Sequence, residues 1–440
     1  WTTVGANAMI FLAAFDALAV TTIMPTVARE LDGVTLYSAA FASTLAAQVI
    51  GTVVSGGWTD RRGPVAPLIG AVIVFVAGLV LAATASVMPV FVAGRFLQGL
   101  GMGAMIVAIY VIVARAYRSE LHTRIFATFA AAWVVPGLVG PVAAGLVADS
   151  VGWPWVFVGV SVLVLAALGA ITPALLRILR SPSEQIGEPR PLRRVAGEAV
   201  LAVLLAAAVL GVGVAGELPA ALGWALAVIG VAAAVLLIRP LLPSGALRAR
   251  RGLGATILLR GTIAAAFFAT EVRLPYLLQE RYGFESWQAG LILTVGALAW
   301  AGASAIQPRL AGRVPEGRAL AAGAVLVTTG IALQFATAAL TLPPAVAGVG
   351  WLIAAGGMGT VYPRLSTLML GYSAPADQGF NSSALSIVES VAGAVAIALG
   401  GLVFASAGGA TGAGFAASIL LSVVIAAVAV PVALRAVHRG

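Results

Sequence analysis

Residues 56–86 read GGWTDRRGPVAPLIGAVIVFVAGLVLAATAS, a short charged segment followed by a long uncharged one. No charged side chain occurs between Val65 and Ser86. About 20 apolar residues in a helix cross the hydrocarbon core of a bilayer. The charged residues just before this run, Asp60 and Arg61 among them, then mark a turn at one membrane surface. The stretch predicts a transmembrane helix entered from a charged turn.

The composition extends this interpretation to the whole chain. Of the 440 residues, 61% are hydrophobic and 9% are charged, whereas about a quarter of the residues of a soluble domain are charged. The net charge of +9 would indicate nucleic acid for a soluble protein, but all 25 basic residues are arginine and most lie in short gaps between apolar runs. Such residues act as orientation signals. The absence of cysteine excludes disulfides and thiolate metal sites.

The apolar runs predict six spans, then a compact pair, then six more. The first six lie at about 4–28, 36–58, 65–86, 88–115, 122–148 and 155–176, the pair at about 197–216 and 219–238, and the last six at about 254–278, 286–307, 317–338, 344–370, 379–406 and 411–434. We therefore expect an all-α transmembrane protein with fourteen spans. Its predicted parts are an N-terminal six-helix bundle at 1–176, cytoplasmic loops with two inserted helices at 177–252, and a C-terminal six-helix bundle at 253–440. The short pair leaves open whether both of its helices cross fully.

Arginine bias in the short loops predicts the orientation. The arginine-rich segments are 59–64, 115–124, 177–195, 239–251, 308–318 and the tail from Arg435. All of them fall on one side of the predicted topology, and arginine-rich short loops face the cytoplasm. Both termini are therefore expected to be cytoplasmic. Two six-helix parts around a midplane site are the plan of transporters built from repeats.

The charged turn after span two carries the first of three motifs that resemble a known family. Its pattern, Gly56-x-x-x-Asp60-Arg61-x-Gly63, is similar to the signature loop of the major facilitator superfamily. Gly63 permits the positive φ of a tight turn. The resemblance implies that the motif forms charged contacts that latch the two halves on the cytoplasmic side, with Glu120 as a further partner. A plain positive-inside loop is the structural alternative.

Span four carries the second motif, Arg95-x-x-Gln98-Gly99-x-Gly101. It is similar to the arginine-bearing motif of the fourth helix in the same superfamily, and the resemblance implies a role for Arg95 in proton transfer. A charge inside a span must face the bundle interior or reach outward to the surface. Snorkelling of Arg95 to the outer surface is therefore the alternative.

Span five carries the third motif, in which Gly137 is followed by Gly140, Pro141 and Gly145. It resembles the Gly-Pro motif that marks antiporters in this superfamily, although ordinary close packing of small residues gives the same pattern. Residues 16–25, DALAVTTIMP, resemble the first helix of the fourteen-helix drug:proton antiporter family. The resemblance implies a major-facilitator fold of two six-helix bundles with two extra helices between them.

Very few carboxylic acids lie within the predicted spans, and three of them are candidates for function. Asp16 and Glu389 are near mid-membrane, and Glu271 is nearer the outer end of its span. Intramembrane acids are functional candidates by default, so these three and Arg95 are predicted to serve proton coupling or substrate binding. The alternative for each acid is a structural partner for a buried arginine. For Glu271 it is a water-exposed network that includes Arg273.

Other polar and aromatic side chains of the spans are candidates for lining a cavity. They are Gln48, Gln98, Tyr110, Trp133, Tyr362 and Asn381. Arg260 and Arg364 lie near predicted cytoplasmic ends of spans and are interpreted as anchors that snorkel to the surface.

These features predict a secondary active transporter. Proton-coupled export of a hydrophobic or amphipathic small molecule (drug, metabolite or lipid) by alternating access is the leading hypothesis, and proton-coupled uptake of a small solute is the nearest alternative. A membrane-embedded transferase is more distant, because the two histidines, His122 and His438, lie in a loop and in the tail without partners. A purely structural or receptor role has no positive feature.

The hypothesis includes expectations about partners and place. We expect no enzyme activity, no metal and no cofactor, with the proton as coupling ion. The expected partners are a small-molecule or lipid substrate and membrane lipid, without nucleic acid. The protein is expected to be a functional monomer that crosses the inner (plasma) membrane of a bacterium many times.

Overall fold

The computed structural model describes residues 2–116, 119–180, 192–310, 313–374 and 377–437, and the regular structure in these ranges is helical. Fourteen of the described helices, α1 to α14, are long and apolar enough to cross a membrane. In chain order they are Thr2–Glu30, Tyr37–Arg62, Val65–Ala83, Met88–Ala116, Ser119–Val151, Pro154–Arg180, Leu192–Gly213, Ala220–Ile238, Leu253–Tyr282, Ser286–Leu310, Glu316–Leu340, Pro344–Tyr372, Gln378–Ser406 and Gly412–Ala433.

The predicted fold class and number of spans are confirmed. α7 and α8, the inserted pair, both have spanning length and are joined through the short 3₁₀ turn Ala215–Glu217. Several helices extend beyond their apolar runs, as α9 does by ending at Tyr282 rather than near residue 278. Backbone hydrogen bonding continues into the membrane interface after the hydrophobic pattern stops. Which membrane surface holds the termini stays a prediction.

Successive helices run in opposite directions, so their connections gather at two ends of the bundle. We call the end where α2 meets α3 the Asp60 end, and the end where α1 meets α2 the Arg29 end. Helices α1 to α6 are called the N-terminal half, and α9 to α14 the C-terminal half. These names carry no statement about the side of the membrane.

Small residues let the helices of each half pack closely. Gly99 of α4 lies against the carbonyl of Thr44 on α2, where a Cβ would overlap it. In the C-terminal half a Cβ on Gly350 of α12 would lie 2.6 Å from the carbonyl oxygen of Gly330 on α11. Without water to drive apolar association, close backbone approach supplies the contact energy in lipid. The glycines therefore fix the crossing points on which the site depends.

The inserted helices pack on both halves. α7 lies along α2, from Gly213 beside Ala39 at the Arg29 end to Val195 beside Gly57 at the Asp60 end. It also packs on α13, and α8 packs on α7. Buried apolar residues of α2, α7, α8 and α13 form one continuous cluster. The inserted pair therefore covers the line along which α2 and α13 meet.

Candidate functional site

A buried ion pair joins α1 and α4 in the N-terminal half. Asp16 lies at the centre of the 29-residue α1, and its Oδ2 is 3.0 Å from Nη1 of Arg95, with each side chain 3% exposed. Arg95 therefore faces the bundle interior and does not snorkel to a surface. Removing one partner of such a pair would leave a buried charge without its counter-charge, which costs several kcal/mol.

Gln98 holds the arginine of this pair in place. Its side-chain oxygen accepts a second hydrogen bond from Nη1 of Arg95, and its amide donates to the carbonyl of Gly78 at 3.2 Å. Gln98 was predicted to line a cavity, but it is fully buried. Its position one turn after Arg95 on α4 explains the difference, because the two side chains share one face of the helix. The Nε atom of Arg95 has no partner among the described residues.

A second ion pair lies in the C-terminal half, between α9 and α13. Nε of Arg260 is 2.7 Å from Oε2 of Glu389, and the side chains are 14% and 23% exposed. The hydroxyl of Tyr362 donates to Oε1 of Glu389 at 3.3 Å, and its ring centre lies 3.5 Å from the guanidinium carbon of Arg260. The prediction that Arg260 snorkels to the surface is therefore wrong. Its side chain turns inward because an acid and an aromatic ring are within reach.

Glu271 and Arg273 are two residues apart but have different surroundings. Glu271 is half-buried and forms no hydrogen bond or ion pair among the described residues. It follows Arg260 by about three helical turns, so the two lie on one face of α9, about 16 Å apart along the axis. Arg273 is buried and donates to the hydroxyls of Ser38 at 2.5 Å and Ser418 at 3.2 Å. The exposed network proposed as an alternative for Glu271 is not formed.

The two halves are held together at the Arg29 end. Eight hydrogen bonds between described residues connect α1, α2 or α5 on one side to α9 or α10 on the other. They join Thr22 to Gln279, Thr26 to Ser286, Arg29 to Glu280 and Gln279, Tyr37 to Val272, Ser38 to Arg273, Leu138 to Thr294, and Asp149 to Trp287.

Buried aromatic side chains fill the space behind these bonds. The Tyr37 hydroxyl donates to the carbonyl of Val272 at 2.7 Å, and its ring stacks on Tyr276 with 4.7 Å between centroids. The Arg273 guanidinium carbon lies 4.5 Å from the ring centre of Phe404. The Arg29 end is therefore closed by polar bonds and aromatic packing together.

The Gly-Pro motif of α5 lies where α5 packs on α10 and α1. A Cβ on Gly145 would lie 2.5 Å from the backbone of Trp287, and a Cβ on Gly290 would lie 2.6 Å from the carbonyl oxygen of Pro141. Gly140 faces α1, and Gly137 faces α10 one step nearer the Asp60 end. The motif thus forms a contact between the two halves, which any rearrangement of the halves must change.

The signature loop is placed as its sequence predicts. Gly63 ends α2 with φ 74° and donates its N–H to the carbonyl of Thr59. Asp60 and Gly56 lie in the last two turns of α2, and Asp60 is exposed. The side chain of Glu120, at the start of α5, lies outside the described part of the structure, so its predicted contact with this loop stays a prediction.

The remaining cavity candidates divide into open and buried positions. Tyr110 is 45% exposed and Trp133 is 41% exposed, and Gln48 is half-buried. Asn381 is buried and donates to the hydroxyl of Ser373 at 2.8 Å, so its predicted place in a cavity lining stays a prediction. It lies in the first turn of α13, where the preceding connection folds back on it.

Arg364 has partners that the sequence interpretation missed. It is 6% exposed, its Nε donates to Gln307 at 2.8 Å, and its Nη1 is 2.7 Å from an Oε of Glu316. It is therefore not a surface anchor. The available signal was Glu316 directly after Pro315, because an acid in the first turn of a helix at the membrane surface is well placed to pair with a neighbouring arginine.

Two helical halves with charged pairs deep in the bundle and a closed contact at one end define a membrane transporter. The chain belongs to the Major Facilitator Superfamily, whose sequence model matches residues 7–397.

Several transporters are similar in sequence. A probable multidrug-efflux transporter of Mycobacterium tuberculosis is 27% identical over 442 aligned residues, which cover 95% of this chain and 90% of that protein. An uncharacterized MFS-type transporter of the same species is 30% identical over 204 residues, 46% of this chain but 28% of that protein. The match to the latter therefore spans less than a third of its length.

Solved structures share the fold at low identity. The crystal structure of a D-xylose-proton symporter aligns with a TM-score of 0.69 at 15% identity, covering 99% of this chain and 97% of that one. A POT family transporter in complex with 5-aminolevulinic acid aligns with a TM-score of 0.69 at 13% identity, covering 98% and 94%. These similarities confirm the major-facilitator fold.

Proposed function

We propose that the protein is a proton-coupled exporter of a hydrophobic or amphipathic small molecule, working by alternating access in a bacterial plasma membrane. The observation that carries the proposal is the Asp16–Arg95 pair, 3.0 Å apart and 3% exposed on both sides. A buried ion pair adds little stability over apolar packing, whereas ionisable residues inside a membrane usually mark ion or substrate pathways. The pair therefore fits a coupling role better than a structural one.

Protonation of Asp16 would change the energy of the whole N-terminal half. A neutral Asp16 no longer balances the charge of Arg95, whose Nε already lacks a partner among the described residues. An arrangement that hydrates Arg95 then becomes favourable, and loss of the proton restores the pair. This two-state behaviour links proton transfer to a rearrangement of the halves.

The closed Arg29 end bears on the direction of transport. With the N-terminus in the cytoplasm, as the arginine bias predicts, the Arg29 end faces outward, so these contacts between the halves lie on the outer side. Export then requires the bonds of the Arg29 end to break after cargo binds. We also propose that the protein works as a monomer with the proton as its coupling ion.

The chemistry near the C-terminal pair favours apolar cargo. Arg260 and Glu389 balance each other in charge, and the rings of Tyr362 and Trp300 pack beside them with 4.9 Å between centroids. Such a surface suits aromatic or alkyl groups better than sugars or phosphates. The similarity to a probable multidrug-efflux transporter supports the same cargo class. Uptake by symport is the alternative, since one structure of this fold is a proton symporter.

Proteoliposomes with a pH-sensitive dye in the lumen distinguish these possibilities. Gradients of ethidium, Hoechst 33342 or a short-chain fluorescent phosphatidylcholine are imposed across the membrane, and lumenal pH is followed. Antiport predicts that inward cargo flow drives protons out. Protons that move with the cargo would establish symport, and no cargo-dependent proton movement with any probe would reject both.

A matched pair of variants tests the role of Asp16. Asp16→Asn is expected to abolish cargo-driven proton movement. Asp32→Asn is the control, because Asp32 is exposed in the connection after α1 and has φ 48°, which asparagine tolerates. Unchanged proton movement in Asp16→Asn would remove Asp16 from the mechanism.

A further inference from the structure

The two halves adjoin along two lines on opposite sides of the bundle, one between α2 and α13 and the other between α5 and α10. The inserted helix α7 packs on α2 and α13. α5 and α10 pack on each other, and neither α7 nor α8 is among the helices that pack substantially on them. Lipid can therefore approach the line between α5 and α10 more closely than the line between α2 and α13.

The line between α2 and α13 is covered. In the most apolar part of each helix, 67% of α2 and 61% of α13 is buried. Val49 of α2, Leu205 of α7 and Val388 of α13 belong to one buried cluster. Because α7 follows α2 from one end of the bundle to the other, the cover includes the Asp60 end.

The close glycine contacts that the described residues show between α5 and α10 lie toward the Arg29 end. The close contacts there run from Gly145 beside Trp287 to Gly137 beside Ala297. The next residue on the face of α5 that carries Gly145 and Gly137 is Val134. It lies three residues toward the Asp60 end and is 37% exposed. This face of α5 therefore becomes exposed about halfway along the membrane.

Exposure at this point covers much of the helix circumference. Trp133, Val134 and Val135 are 41%, 37% and 47% exposed, and three consecutive helical positions span about 200°. On α10, Leu298 is 55% and Ile306 is 47% exposed, and 22% of the most apolar part of this helix is buried. Residues 128–148 and 291–306 contain no charged side chain. These exposed surfaces of α5 and α10, together called the gap, are therefore uncharged.

We propose that this gap is a lateral opening to the bilayer through which a membrane-dissolved amphiphile reaches the interior, while α7 seals the corresponding line between α2 and α13. The proposal rests on the proposed function, because it assumes apolar cargo. It adds that the cargo is dissolved in the membrane and enters through this opening. An uncharged opening at membrane depth admits alkyl and aryl groups without transferring them through water. The inserted pair then has a role, which is to leave one lateral entrance instead of two.

Fluorescence quenching in nanodiscs tests the opening. The chain has no cysteine, so single cysteines can be added to the natural background and labelled with bimane. Val134→Cys reports the gap, Val53→Cys reports α2 beneath α7, and Val162→Cys, 61% exposed on α6, reports an outer surface. Iodide in the buffer and phosphatidylcholine with brominated acyl chains are the two quenchers.

The opening predicts that both quenchers act on the label at Val134. Brominated lipid alone should act on Val162, and its effect at Val53 should be several-fold weaker than at Val134. Quenching of Val134 by only one of the two agents, or equal lipid quenching of Val53 and Val134, would overturn the proposal. Val135→Cys and Leu298→Cys report the same gap if the Val134 variant does not fold.

A transport measurement tests the route itself. Val134→Trp is expected to raise KM for Hoechst 33342 several-fold with little change in kcat, whereas Val162→Trp leaves both unchanged. An unchanged KM in Val134→Trp would contradict entry through the gap. If no probe is transported but the quenching pattern holds, the proposed function fails and the opening stands.

Discussion

The ion pairs Asp16–Arg95 and Arg260–Glu389 are alike in chemistry and different in their access to water. Asp16 and Arg95 are each 3% exposed, whereas Arg260 and Glu389 are 14% and 23% exposed. The acid is on the first helix of the N-terminal half, and the arginine is on the first helix of the C-terminal half. Each half thus holds one of these two pairs, with the signs exchanged and the exposure to water unequal.

The difference suggests that the two pairs have different roles in transport. A fully buried pair can change its charge only when the surrounding helices move, because an unpaired charge inside the bundle is costly. A partly exposed pair can exchange its partner for water or for a bound molecule at lower cost. We therefore assign the coupling proton to the N-terminal pair and contact with cargo to the C-terminal pair.

The largest expected effect follows from breaking the dry pair. Arg95→Met leaves the Asp16 carboxylate buried without a counter-charge and is expected to cost about 3–5 kcal/mol of stability. Arg260→Met, at the partly exposed pair, is expected to cost about 1 kcal/mol or less. Thermal unfolding in detergent compares the two variants. Equal losses of stability would show that the difference in exposure between the two pairs does not affect their contribution to stability.

A double variant sharpens the same comparison. Asp16→Asn combined with Arg95→Met removes both charges, so it should recover much of the stability that Arg95→Met loses. The coupling energy of this cycle is expected to exceed that of the corresponding cycle at Arg260 and Glu389. Additive losses at Asp16 and Arg95 would mean that the two side chains do not stabilise each other.

A smaller effect is expected at the C-terminal pair. Glu389→Gln keeps an acceptor for Tyr362 and Arg260 but removes the charge, so cargo affinity should change about tenfold, or about 1.4 kcal/mol. Proton movement per transported molecule should be unchanged. Parallel measurement of KM and proton flux in proteoliposomes separates the two quantities. Loss of proton flux at unchanged KM would mean that the C-terminal pair, and not the N-terminal pair, carries the coupling proton.

The smallest expected effect concerns the closure of the Arg29 end. Tyr37→Phe removes the hydrogen bond to the carbonyl of Val272, worth about 1 kcal/mol, and should shift the equilibrium toward opening of the Arg29 end about fivefold. Spin labels on cysteines at Asp32 and Glu285, both exposed at that end, report the distance distribution. An unchanged distribution would show that this bond does not hold the halves together.

The sequence was sufficient for the spans and for the depth of each charge. Uninterrupted apolar runs set the helix count, and the position of Asp16 or Glu389 within its run sets its depth in the membrane. The direction in which a side chain points was harder to predict. These helices are apolar on nearly every side, so the pattern does not show which face of α9 carries Arg260 toward Glu389, 129 residues away.

The same limit applied to the inserted pair. Its length and hydropathy predicted two crossings, but nothing in residues 192–238 indicates that α7 would pack on α2 and α13 at once. That contact depends on shape, such as the space that Gly57 leaves for Val195. The motifs of α2, α4 and α5 predicted more of the local structure. Their glycines allow close packing or a turn, and their buried charges require a partner, in any helix that carries them.

The assignment of the coupling proton is tested most directly by proton release on cargo binding. Purified protein in weakly buffered detergent is mixed with Hoechst 33342 or ethidium, and a pH indicator counts the protons released. At a pH at which part of the molecules carry a proton on Asp16, the wild type and Glu389→Gln should release protons on binding, and Asp16→Asn should bind the probe and release none. Release from Asp16→Asn equal to that of the wild type would contradict the assignment.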